Sequence, residues 1–184
     1  MKGRLILFTI LGVLVFVAGA YAAGRVHIRG TNGPDVITGT PGNDKINARG
    51  GDDQVNALEG NDRVWAGWGN DSVDAGPGND YVVGGPGNDT IVGGDGNDRL
   101  RGRSGDDSLD GGAGRDRLHG GYGADKLQGG PGNDVLFALA PDNQVDTLDC
   151  GPGNHDVAWV LSSEHDVVTN CEVIKTVTVS HPDE

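Results

Sequence analysis

Twelve nonapeptides run end to end through residues 30–137 without a break in register. Every unit has Gly at its fourth position, Asp at its sixth, and Ile, Val or Leu at its eighth. A fixed short period of this kind means a solenoid, in which one turn of chain stacks on copies of itself. The competing reading is glycine-rich disorder, since the chain has 34 Gly and 8 Pro in 184 residues. Disorder, however, gives no reason to keep twelve aspartates and twelve aliphatics in phase.

One unit shows the local logic. Residues 84–92 read Gly-Gly-Pro-Gly-Asn-Asp-Thr-Ile-Val. The first six are turn residues, because Gly reaches backbone angles closed to others and Asn and Asp bond to the nearby chain. The last three read as a short strand, with Ile91 facing one way and Thr90 and Val92 the other. One inward aliphatic per nine residues makes a thin core, each side chain contributing about 1.5 to 3 kcal/mol. Something besides apolar burial has to hold the turns.

The sixth position supplies it: Asp35, Asp44, Asp53, Asp62, Asp71, Asp80, Asp89, Asp98, Asp107, Asp116, Asp125 and Asp134. Stacked turns place these carboxylates close together, where they repel. A hard divalent cation removes the repulsion and takes carboxylate and carbonyl oxygens as ligands. Calcium fits better than magnesium, which resists dehydration and demands octahedral geometry. Zinc and copper are disfavoured, because the turns lack Cys and His apart from His119 on a strand.

The pattern Gly-Gly-x-Gly-x-Asp-x-aliphatic-x resembles the RTX, or haemolysin-type, calcium-binding repeat over 108 of the 184 residues. That resemblance implies an all-β, right-handed parallel β-roll, a calcium-stabilised β-solenoid with half a coil per unit. Turns 18 residues apart then lie side by side, Asp35 facing Asp53 along one edge and Asp44 facing Asp62 along the other. Calcium is expected between them, at about ten ions in all. Some units depart from the pattern. Position 1 is Ala at Ala48, Ala57, Ala66 and Ala75, and position 2 is Thr31, Thr40, Arg49, Leu58 or Arg103. Where position 2 needs a left-handed backbone these residues fit it poorly, and the first four turns are expected to bind more weakly.

The flanks set the context. Residues 1–22 read as a secretory signal, with Lys2 and Arg4, an apolar stretch over residues 5–17 and the small-x-small site Ala20-Tyr21-Ala22. The alternative is an uncleaved anchor, since residues 5–23 carry no charge. Cleavage leaves a secreted chain with no membrane span. The formal charge of −13 argues against nucleic-acid binding and suits a cation scaffold. The division expected is a signal at 1–22, the roll at 23–137, and a degenerate coil and C-terminal cap at 138–184. In an exported protein the two cysteines, Cys150 and Cys171, point to one disulfide pinning that cap. After a three-residue insertion Asp146 and Leu148 return to positions 6 and 8, and residues 150–156 read as one more turn with an extra residue.

The family's lytic activity and its C-terminal export signal do not carry over: no long apolar pore-forming region follows Ala23. No nucleophile elbow or metalloprotease motif is present, and the chain is expected not to be an enzyme. Ice binding is disfavoured because position 3 is never Thr.

Alternate units lie on opposite sheets, so one sheet gathers Arg63, Trp65, Tyr81, Arg99, Arg101, Arg117 and His119 on its outer face. A basic, aromatic face on an acidic chain suits an acidic polysaccharide or cell surface. The plainer reading is a solvated strand face in the field of the acidic turns.

Overall fold

The computed structural model describes residues 6–10, 13–17 and 25–178. All nineteen elements in it are β-strands. One sheet begins with the antiparallel pair Ile6–Ile10 and Val13–Val17. It continues in parallel through Asp35–Thr38, Gln54–Asn56, Ser72–Asp74, Thr90–Gly96, Ser108–Gly114, Lys126–Gln128 and Thr147–Asp149 to Val167–Thr169. The facing sheet runs from His27–Arg29 through Lys45–Gly50, Arg63–Trp68, Tyr81–Pro86, Arg99–Ser104, Arg117–Tyr122, Val135–Ala138 and Val157–Leu161 to Val173–Val177. The two sheets take alternate units of the chain, which is the β-roll the repeat predicts.

The pairing register follows the repeat. Thr90 lies between Ser72 and Ser108, and Leu100 between Val82 and Leu118, each 18 residues away. Position 8 points inward in every unit and is buried throughout, from Ile37 to Leu136. The core is therefore a double file of single aliphatics, widened by the position-1 alanines Ala48, Ala57, Ala66 and Ala75. On the turns a second file forms, in which position-5 side chains accept backbone N–H groups from the next coil. Asn43 Oδ1 takes the N–H of Asn61 at 2.8 Å, and Asn61 Oδ1 that of Asn79 at 2.7 Å. The frequent Asn at position 5 thus has a structural cause, since each closes a hydrogen bond that a turn would otherwise leave open.

Position 2 is left-handed in the regular units, as at Gly67, Gly85 and Gly94. Arg49, Leu58 and Arg103 take the same conformation, with φ of 87°, 75° and 97°, a region that costs a side-chain-bearing residue about 1–2 kcal/mol. The stack on either side imposes it.

Beyond residue 137 the coil continues with altered spacing. Leu127 pairs with Leu148 across 21 residues, Val135 with Val157 across 22, and Val157 with Val173 across 16. Cys150 and Cys171 form a disulfide with their Cα atoms 5.1 Å apart. The C-terminal end is thus built by extending the roll and pinning its last coil. Its final strand is largely exposed, Ile174 included. At the other end, part of the apolar segment read as a signal forms the edge pair beside Asp35–Thr38. The small-x-small site at residues 20–22 lies outside the described residues, as do 179–184. No helix among the described residues is long and apolar enough to cross a membrane.

Candidate metal centres

The position-6 aspartates form two columns, one along each edge of the roll, and all twelve are buried. Each backbone N–H donates to Oδ1 of the aspartate one coil further on. Along one edge Asp35 donates to Asp53 at 2.8 Å, Asp53 to Asp71 at 2.9 Å, Asp71 to Asp89 at 2.9 Å and Asp89 to Asp107 at 2.8 Å. Along the other, Asp44 donates to Asp62 and Asp62 to Asp80, both at 2.6 Å, and Asp98 to Asp116 at 2.8 Å. This ladder satisfies one carboxylate oxygen of each interior aspartate.

The second oxygen is another matter. Oδ2 of Asp53, Asp62, Asp71, Asp80, Asp89, Asp98, Asp107, Asp116, Asp125 and Asp134 is buried and has no hydrogen-bond partner. A buried ionised oxygen left in this way costs several kcal/mol. At Gly30, Gly39, Gly93, Gly111 and Gly129 the aspartate's Oδ2 and a carbonyl from the next coil converge on the space a Cβ would fill, while at Gly84, Gly102 and Gly120 the nearest atoms all belong to the aspartate. At Gly93 these are Asp98 Oδ2 and the Gly111 carbonyl, both 2.5 Å from that point; at Gly111 they are Asp116 Oδ2 and the Gly129 carbonyl, both at 2.6 Å. At Gly93 and Gly111 the two nearest atoms are both oxygen acceptors. Where position 1 is Ala48, Ala57, Ala66 or Ala75, a methyl group stands there instead.

The electrostatics agree. Burial pushes the carboxyl of Asp107 up to about 8 and those of Asp53, Asp62, Asp80, Asp89 and Asp134 up to about 7, against the pull of the ladder hydrogen bond. The neighbouring aspartates add to the rise. A proton or a cation must neutralise such a column.

The first two units solve the problem differently. Oδ2 of Asp35 accepts from the Thr31 backbone N–H at 2.6 Å and from the Thr31 hydroxyl at 3.1 Å. Oδ2 of Asp44 accepts from Thr40 in the same way, at 2.6 and 2.9 Å. The Thr departures at position 2 are therefore local substitutes for a counter-ion.

The donor set decides the chemistry. Among the described residues no three His, Cys, Asp or Glu side chains converge on one point. An ion held here takes backbone carbonyls beside the aspartates, an all-oxygen set that fits a hard cation such as calcium. A family model described as the RTX calcium-binding nonapeptide repeat matches residues 29–64, 49–82, 83–118, 110–145 and 119–154. The chain belongs to this family. No curated protein matches it significantly.

The RTX columns extend further than the repeat pattern alone indicates. Asp125 donates to Asp146 Oδ1 at 2.8 Å and Asp146 to Asp166 Oδ1 at 3.0 Å. On the other edge Asp134 donates to Asp156 Oδ1 at 2.6 Å. Asp146 carries a signal, standing at position 6 once the insertion is allowed for. Asp156 carries a weaker one, because its turn holds an extra residue. Asp166 carries none, because no glycine turn precedes it.

The outer face of the second sheet gathers the seven residues named from the sequence. Arg63, Tyr81, Arg99 and Arg117 follow one another in one column, and Trp65, Val83, Arg101 and His119 in the next. The arginine file is broken by aromatic rings. Arg101 lies 5.7 Å from the Tyr81 ring, Lys45 lies 5.2 Å from Trp65, and Arg117 lies 5.5 Å from Phe137. His119 stacks on Phe137 at 4.0 Å, and burial together with Arg101 and Arg117 pushes its imidazole down to about 4. It therefore adds an aromatic ring rather than a charge at neutral pH. Trp159 and Lys175 prolong this file past the repeats, a continuation hidden by the altered spacing.

Proposed function

We propose that this RTX chain is a secreted, non-catalytic protein that folds on calcium. Its ligands are the position-6 aspartates from Asp35 to Asp134, with about ten ions between coils. The observation that carries the reading is the column of buried, partnerless Oδ2 atoms along each edge. The strongest sites are those of Asp89, Asp98, Asp107, Asp116, Asp125 and Asp134, where position 1 is Gly and places no side chain beside the free Oδ2. Sites served by Asp35 and Asp44 are weakest, since Thr31 and Thr40 already satisfy them. Secretion is supported by the signal-like pattern of residues 1–22 and by the disulfide. Calorimetric titration is expected to show calcium uptake with midpoints of roughly 10⁻⁴ to 10⁻³ M, undisturbed by equal magnesium. Absence of uptake at about 10 mM calcium defeats the proposal.

A second reading is calcium-dependent binding of an acidic polysaccharide or cell surface through Arg63, Trp65, Tyr81, Arg99, Arg101, Arg117 and His119. A hollow of about 540 Å³ beside this face favours it, lined by His119, Phe137, Tyr122, Arg103, Pro86 and Pro141. Rings of this kind stack on sugars, and guanidinium pairs with carboxylates. Wild-type protein is expected to be retained on an acidic-polysaccharide column at low salt, and the Arg99→Ser/Arg101→Ser/Arg117→Ser variant to elute early. Equal retention reduces the face to a solvated sheet.

A further inference from the structure

We propose that one acidic edge ends in a cation site outside the nonapeptide repeats, formed by Asp156 and Glu172 and held together by the Cys150–Cys171 disulfide. The proposal rests on the calcium reading above.

Asp156 is fully buried. Its Oδ1 is used by the ladder, accepting from the Asp134 N–H at 2.6 Å, and its Oδ2 has no partner. That oxygen and the Gly132 carbonyl of the preceding coil crowd the space a Cβ on Gly153 would fill. The carbonyl stacks there as the preceding coil's carbonyl does on the fourth-position glycines, Gly153 being the partner of Gly132, so what this turn shares with the repeats is the buried, partnerless Oδ2 itself.

Glu172 then takes the part of the next aspartate. The Asp156 N–H donates to its Oε2 at 2.7 Å, across 16 residues instead of 18. The longer glutamate side chain reaches where the aspartate series has ended. That bond brings a second carboxylate to the end of the column beside Asp156. Like charges gathered there repel unless a proton or a cation offsets them.

The disulfide joins the two turns that carry these groups. Cys150 opens the turn that ends in Asp156, and its carbonyl converges with Asp134 Oδ2 on the space over Gly129, at 2.5 and 2.7 Å. Cys171 directly precedes Glu172. Glu172 sits in the outermost coil, whose strand Val173–Val177 has a neighbour on one side only. An end coil is the first part of a solenoid to open. Breaking the bond frees the turn bearing Glu172 while leaving the repeat sites in place. The opposite edge ends in Asp166, whose Oδ2 is also buried and partnerless, but no disulfide adjoins it. It serves as an internal comparison.

The test is calcium titration of the full chain by calorimetry at pH 7.5, on oxidised wild type, Glu172→Gln, Asp156→Asn and Cys150→Ser/Cys171→Ser. Circular dichroism in calcium checks the fold of each. Glu172→Gln and Asp156→Asn are expected to bind one ion fewer than wild type. Losing the disulfide is expected to weaken that ion about tenfold, roughly 1.4 kcal/mol, and to change nothing further when combined with Glu172→Gln. If Asp156→Asn does not fold, Glu172→Gln decides, because Glu172 is exposed. An unchanged ion count in Glu172→Gln overturns the proposal and assigns the pair a shared proton. So does a disulfide effect of equal size with and without Glu172. Those outcomes leave the calcium reading standing; a wild type that takes up no calcium removes both.

Discussion

Calcium-free protein at pH 8 is expected to lose its strand spectrum, and to recover it on acidification to about pH 4.5 with no calcium added. The cause is the column of raised carboxyls. In the folded roll Asp107 titrates near 8, Asp53, Asp62, Asp80, Asp89 and Asp134 near 7, and Asp98, Asp116 and Asp125 near 6. The ordinary value in an open chain is 3.8. A group whose folded value is raised holds its proton more tightly in the fold than in the open chain. Its contribution to stability is fully present below about pH 4 and is lost as pH rises through about 6 to 8. This is the reverse of the usual salt-bridged aspartate. Calcium replaces the proton, so in calcium the fold persists at pH 8, and the calcium midpoint rises as pH falls from 8 to 6. Far-ultraviolet circular dichroism across pH 4.5 to 8, with and without calcium, measures both effects. A calcium-free roll more stable at pH 8 than at pH 5 contradicts the assignment of the columns.

Removing an interior carboxylate is expected to do far more damage than removing a terminal one. Asp89 Oδ1 accepts the Asp71 N–H, its own N–H donates to Asp107, and its Oδ2 lies over Gly84 beside no donor. Asp89→Ala leaves a buried N–H unpaired, costing about 1–3 kcal/mol, and takes a ligand from the centre of a column. In a solenoid the loss spreads to both neighbours, because each coil is held by its contacts with the next. Asp35 stands at the end of its column, and its carboxylate is already served by Thr31. Asp89→Ala is expected to raise the calcium midpoint about tenfold, and Asp35→Ala less than threefold. Equal midpoints for the two variants contradict the pairing of turns 18 residues apart.

Much of this was legible in the chain because a repeat converts spacing into geometry. Once Ile91 and Leu109 are known to be 18 residues apart in phase, their pairing follows, and with it the columns at Asp89 and Asp107. Spacing stopped being informative where it changed. Connections of 21, 22, 20 and 16 residues carry the columns to Asp146, Asp156, Asp166 and Glu172. The basic and aromatic residues of the second sheet were readable as sharing one face, but not which ring each cation lies against. That depended on how Tyr81 and Phe137 lie beside Arg101 and Arg117.

The sequence alone determined the solenoid, the inward file of aliphatics and the two acidic edges, because each follows from a period of nine and an alternation of two. Which oxygens are free was decided only by the tertiary structure. A carboxylate has two oxygens, and one of them at each interior aspartate is taken by a backbone N–H from another coil. At Asp35 and Asp44 the other is taken by a threonine four residues back. Hydrogen-bond accounting of that kind depends on where separate coils meet, which residue spacing does not specify.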